Sequence, residues 1–114
     1  MFEKNMRLAY LFDFYIDMFD EHSQKIMSAY YEDDLSLAEI AANVGISRQG
    51  VRHVIKKCEE QLINLEDKLS LVKKHEACQD AIARLQTLTE SLSDTDGDTA
   101  KRLREVVEIL EKGV

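Results

Sequence analysis

Between Met6 and Phe19 the chain is apolar at nearly every position, with Asp13 and Asp17 the main exceptions. This pattern predicts a first helix over residues 5–19. A helix that is apolar all round must be covered on several sides. A three-helix unit alone would struggle to cover it, so the pattern already points towards a dimer. Asp20 then reads as an N-cap, because its carboxylate can accept from the free N–H groups of a helix start. A second helix is predicted over 21–31, with Ile26, Met27, Tyr30 and Tyr31 inward. Glu32, Asp33 and Asp34 form an acidic turn.

Ser36-Leu37-Ala38-Glu39 has the spacing of a capping box, with serine and glutamate each satisfying a backbone N–H of the other's turn. A short helix over 37–43 follows, and Gly45 ends it, since glycine takes the left-handed conformation at low cost. Ser47 is the next N-cap. Ile40, Ala41, Val44, Ile46, Val51, Val54 and Ile55 fall into one apolar cluster. A small residue at 41, a glycine four later and an apolar residue six after that is the spacing of a helix-turn-helix.

The helix starting at Arg48 carries the stripe Val51, Ile55, Cys58, Leu62, Leu65, Leu69 and Val72, at alternating steps of four and three. That spacing is the seam of a two-helix contact. By Leu69 the helix has run about 30 Å from its start, and a domain this small has little left to cover it. Leu62, Leu65, Leu69 and Val72 are therefore expected at a homodimer interface. Lys73-Lys74-His75-Glu76 interrupts the stripe and is the expected bend. The stripe resumes with Ala81, Ile82, Leu85, Leu88 and Leu92. Ser93 to Asp98 is dense in turn residues, and a last helix is predicted over 100–112.

Composition agrees with an all-α chain: 114 residues, no proline and four glycines. The fold class expected is all-α, a helix-turn-helix of winged-helix-like or sigma-region-4-like kind with long C-terminal helices. Residues 1–72 hold the helix-turn-helix domain with its N-terminal helix. Residues 73–114 form a C-terminal helical extension within the same compact unit. No signal peptide opens the chain and no apolar run approaches a membrane span. The two cysteines, Cys58 and Cys78, suit free thiols in a reducing compartment. The expectation is a cytoplasmic protein without membrane insertion.

Charge changes this picture at one place. The formal net charge is −7, which by itself opposes nonspecific binding to phosphates. Yet residues 40–58 hold four of the 15 basic side chains and none of the 22 acidic ones. The outer face of the second helix carries Arg48, Gln49, Arg52, His53, Lys56 and Lys57, with Ser47 at its start. In a DNA-bound helix-turn-helix this face enters the major groove. Arginine can donate twice to guanine and glutamine can pair with adenine. Lys56 and Lys57 lie nearer phosphates, and the N–H groups beside Ser47 suit an anion. Four phosphate contacts give a salt slope of about −3.6, roughly a hundredfold loss of affinity between 50 and 200 mM salt.

Catalytic readings find no support. There is no phosphate-cradling glycine-rich loop, no nucleophile elbow and no local triad. His75 and Cys78 share a helix face, but no second pair with metal-site spacing follows. No catalytic residue, metal, cofactor or small-molecule substrate is expected.

Several motifs together resemble a known family. Leu11-Phe12-Asp13-Phe14-Tyr15, Tyr30 to Leu37, Glu39-Ile40-Ala41 and Ser47-Arg48-Gln49-Gly50-Val51 look like the small helix-turn-helix family of Gram-positive bacteria called YlxM, or p13. The resemblance covers roughly residues 4 to 70. The middle of the chain is also similar to DNA-binding region 4 of sigma factors. Gly50 departs from the alanine expected there. The resemblance implies a regulatory role in the signal recognition particle pathway, whose GTPase and receptor genes neighbour those of the family. Its partners would be DNA, or the particle's RNA or protein. Two other roles fit the same fold. One is a protein-interaction module whose acidic surface at Asp13, Asp17, Glu32, Asp33 and Asp34 faces a basic partner. The other is a sequence-specific transcription regulator.

Overall fold

The computed structural model describes residues 5–113, and among these the chain is all-α. Six helices follow in order: α1 (Met6–Tyr15), α2 (Glu21–Tyr31), α3 (Leu37–Val44), α4 (Arg48–Leu69), α5 (Leu71–Leu92) and α6 (Gly97–Gly113). They divide into two compact units, one ending at Ser70 and the other beginning at Leu71.

In the first unit α4 is the central element, and α1, α2 and α3 each pack on it. Its buried side is Val51, Ile55, Cys58 and Leu62. Phe12, Ile26, Met27 and Ile40 meet it from the other helices, all 1% exposed or less. Two phenols fasten the outer helices to α4. Tyr15 Oη donates to Glu66 Oε1 at 2.6 Å, and Tyr31 Oη donates to Glu59 Oε2. Gln24 Nε2 donates to the carbonyls of Ile16 and Phe19 at 3.0 and 2.9 Å. Those bonds satisfy the chain between α1 and α2, where a 3-10 turn over Ile16–Met18 ends the first helix.

The expectation that α1 is covered on several sides is corrected. Leu11, Phe12 and Tyr15 are buried, while Met6, Tyr10 and Phe14 are 76%, 43% and 37% exposed. Those three sit four residues apart on one side, so α1 buries one face and shows an apolar stripe on the other.

The bend expected at Lys73–Glu76 lies instead at Ser70. Its backbone is left-handed (φ 52°), and its N–H donates to Glu66 O at 2.8 Å. The serine hydroxyl donates to the same carbonyl at 3.4 Å. The run 73–76 continues as helix. Lysine and glutamate are good helix formers, and Lys73, Lys74 and Glu76 are exposed.

In the second unit α5 and α6 pack on each other as a hairpin. Asp96 starts α6 at Gly97, earlier than expected. Its carboxylate accepts from Thr99 N at 3.1 Å and from Thr99 Oγ1 at 2.7 Å. Those two bonds hold the Asp96 carboxyl below the usual carboxylate range.

Candidate nucleic-acid interface

The turn between α3 and α4 is built by local chemistry. Ser36 Oγ accepts from Glu39 N at 3.1 Å, and Glu39 Oε1 accepts from Ser36 N at 3.2 Å. This is the reciprocal cap expected from the spacing. Gly45 closes α3 at φ 77°, with its N–H on Ala41 O at 2.9 Å. Two residues later Ser47 Oγ accepts from Gly50 N at 3.0 Å and opens α4. Ile40, Ala41, Val51 and Ile55 are all buried where the two helices cross.

Burying that side of α4 forces the opposite side outward. Ser47, Arg48, Gln49, Arg52, His53, Lys56 and Lys57 are all exposed. Arg48, Arg52 and Lys56 form one row with steps of about 6 Å, at 1.5 Å rise per residue. Gln49, His53 and Lys57 form the adjacent row. Glu59 and Glu60 reverse the sign of the face one turn further on.

The seven residues border three neighbouring concavities. Ser47, Arg48, Gln49 and Arg52 share an open groove of about 670 Å³ with Ser36, Leu37 and Ala38. Two helix N-termini and two guanidinium groups thus border one concavity, and both effects favour an anion. His53 and Lys57 border a separate hollow of about 310 Å³ beside Asp20 and Ser23. Asp20 caps α2 through Ser23 N at 2.8 Å. That bond holds its carboxyl below the usual carboxylate range, with smaller help from the charges of His22 and Lys57. Lys56 lies in a third, smaller recess with Glu59 and Tyr30, and Arg52 borders both this recess and the groove.

Sequence reasoning missed the first turn of α3 as part of the groove. Its only signal was the capping box, which marks Ser36 as a helix start but says nothing of what faces it. Gly50 gains a local reason. A Cβ there would stand 3.2 Å from Ser47 Oγ and 3.4 Å from Ile46 Cδ1, crowding the cap of α4.

Of the residues expected at a dimer seam, Leu62 and Val72 are fully buried within a single chain. Leu65 is half-buried and Leu69 is 41% exposed. Cys58 is buried, and desolvation pushes its thiol pKa up, which keeps it protonated and unreactive. Among the described residues no three His, Cys, Asp or Glu side chains gather as metal ligands. Nor is any helix among them long and apolar enough to cross a membrane.

An all-α body with two capped helices across a glycine turn, the second basic on its outer face, defines a helix-turn-helix protein. The chain belongs to the UPF0122 family, described as "Putative helix-turn-helix protein, YlxM / p13 like", whose model matches residues 2–106. The match extends well past residue 70, where the motif resemblance ends. Similar relatives are UPF0122 proteins of Bacillus mycoides (42% identical), Bacillus thuringiensis (40%) and Bacillus anthracis (39%). Each is matched over 98% of both chains.

Proposed function

We propose that the protein is a non-enzymatic regulator that contacts nucleic acid through the start of α4 and acts in the cytoplasm within the signal recognition particle pathway. The observation that carries the reading is the groove where Arg48 and Arg52 meet the N-termini of α3 and α4. It suits one stretch of phosphate backbone, with Gln49 beside it to reach a base edge. The pathway rests on the YlxM / p13 kinship. The particle's RNA is the first nucleic acid to test and duplex DNA the second.

The division of the basic face sharpens the salt dependence. Two arginine–phosphate contacts give a slope of about −1.8, roughly a twelvefold loss between 50 and 200 mM salt. Engagement of all four cations gives about −3.6. Binding titrations across that range, with each nucleic acid, measure the slope. Arg48→Glu with Arg52→Glu is expected to abolish binding, and unchanged binding by that double variant would sink the reading. Lys57→Ala separates the two slopes, because it leaves the groove intact.

A second reading, a protein-interaction module, is favoured by the acidic side. The Glu32 carboxyl is pushed up by partial desolvation and then by its neighbours Asp13 and Asp33. Crowded carboxylates of this kind gain from a basic partner. A pull-down with and without nuclease separates the readings, since only the first loses its partner on nuclease treatment.

A further inference from the structure

The α5–α6 hairpin has two unlike sides. Ser93 accepts from Arg104 at 3.2 Å, and Gln86 donates to Glu111 further along. These pairs run in opposite sequence directions, so the helices are antiparallel. Thr89, Ala100 and Val107 are buried. On one side of the hairpin the charged residues Glu90, Lys101, Arg104, Glu105, Glu108 and Glu111 line an open groove.

The other side is apolar. At about 100° per residue, Leu85, Leu88 and Leu92 lie on one flank of the α5 contact line. Leu103, Val106 and Leu110 lie on the matching flank of α6. Because the helices are antiparallel, both flanks open on the same side. Leu88, Val106 and Leu110 are 59%, 49% and 39% exposed.

We propose that a second copy of this chain covers that face, so that two hairpins close into a four-helix bundle. Three observations select this occupant. The first is size. The 17 residues of α6 span about 25 Å and two helices stand about 20 Å wide. That gives roughly 500 Å² of face before side-chain relief is counted, on the scale of the roughly 800 Å² each partner gives to a stable interface. The second is shape. A two-helix unit this small rarely buries enough on its own, and an identical pair supplies the missing half of a bundle core. The third is charge. Both signs border the face, Asp80 and Arg84 on α5 (paired at 3.1 Å) and Arg102 on α6. A mixed rim does not repel its own copy. The apolar stripe of α1, by contrast, has the like charges Asp13 and Asp17 beside it. The inference is independent of what the basic face of α4 binds.

Sedimentation of the full chain tests it. The wild type is expected at twice its 13.1 kDa mass at micromolar concentration. Leu88→Glu with Val106→Glu is expected to raise the dimer dissociation constant at least about tenfold, with helix content by circular dichroism unchanged. A wild-type mass of 13.1 kDa overturns the proposal, and so does a folded double variant that remains fully dimeric. A measurement on the wild type guards against a variant that does not fold. In an equal mixture of ¹³C-labelled and unlabelled chains, isotope-filtered methyl contacts are expected between chains at Leu88, Val106 and Leu110. A dimer without them joins through another surface, such as the α1 stripe, and rejects this one.

Discussion

The two units of the chain solve the same problem differently. Before Ser70, four helices enclose a core in which Phe12, Ile26, Met27, Val51 and Leu62 are fully buried. After Leu71, one helix as long as α4 and another of 17 residues bury few side chains and leave Leu88, Val106 and Ile109 about half exposed or more. The first unit has a centre because three helices converge on α4. A hairpin has only a line of contact, and its remaining apolar flank needs something else to cover it. Helix length is therefore a poor guide to self-sufficiency. The number of neighbours each helix finds decides it.

The largest effect should separate the units most clearly. Phe12→Ala is expected to cost about 3–5 kcal/mol, whereas Val107→Ala in the hairpin should cost about 1.6 kcal/mol, the transfer of two methyl groups. Urea unfolding measures both, and equal losses would break the contrast. Next comes Gly45→Ala, about 1–2 kcal/mol, because φ is 77° there and a Cβ clashes in the left-handed region. Ser47→Ala should then cost about 1 kcal/mol through loss of the α4 cap. It should also loosen the arginine groove, which nucleic-acid titration would report as weaker binding with an unchanged salt slope.

The smallest effects are those of pH. Asp20 in the first unit and Asp96 in the second both have carboxyl pKa values below 3.8 through capping bonds. Each contributes stability that is present above that value and is lost as the pH falls through the lowered one. Asp20→Asn and Asp96→Asn should each flatten the acid limb of a thermal-melt series. At the alkaline end the sign reverses. Burial first, and then the bond to Glu59, push the Tyr31 phenol pKa above 10.0. Its contribution is complete below pH 10 and is lost as the pH rises towards the folded value. Only the first unit holds such a phenol–carboxylate contact with a raised tyrosine. Tyr31→Phe should remove this alkaline loss from the first unit alone.

Much of the fold was legible without coordinates. Asp20, Ser36, Gly45 and Ser47 act through bonds to residues three or four away, and such bonds can be read from spacing alone. The bounds of α2 and the buried side of α4 follow from the same short-range periodicity. The stop at Ser70 was harder to read. Neither glycine nor proline marks it, and the residue it caps on, Glu66, is held by Tyr15 from another helix.

The site divides along the same line. From the sequence alone come the identities of the seven polar residues at the start of α4 and the face they share. Helical phase fixes both once Val51 and Ile55 turn inward. Only the tertiary structure decided that Arg48 and Arg52 face the start of α3 while His53 and Lys57 sit beside Asp20. It alone also decided that Leu62 and Val72 are interior and that the apolar flanks of α5 and α6 open on one side. Periodicity tells which side of a helix is apolar. It carries no information on how many neighbours arrive to cover that side, because that count depends on contacts between residues far apart in the chain.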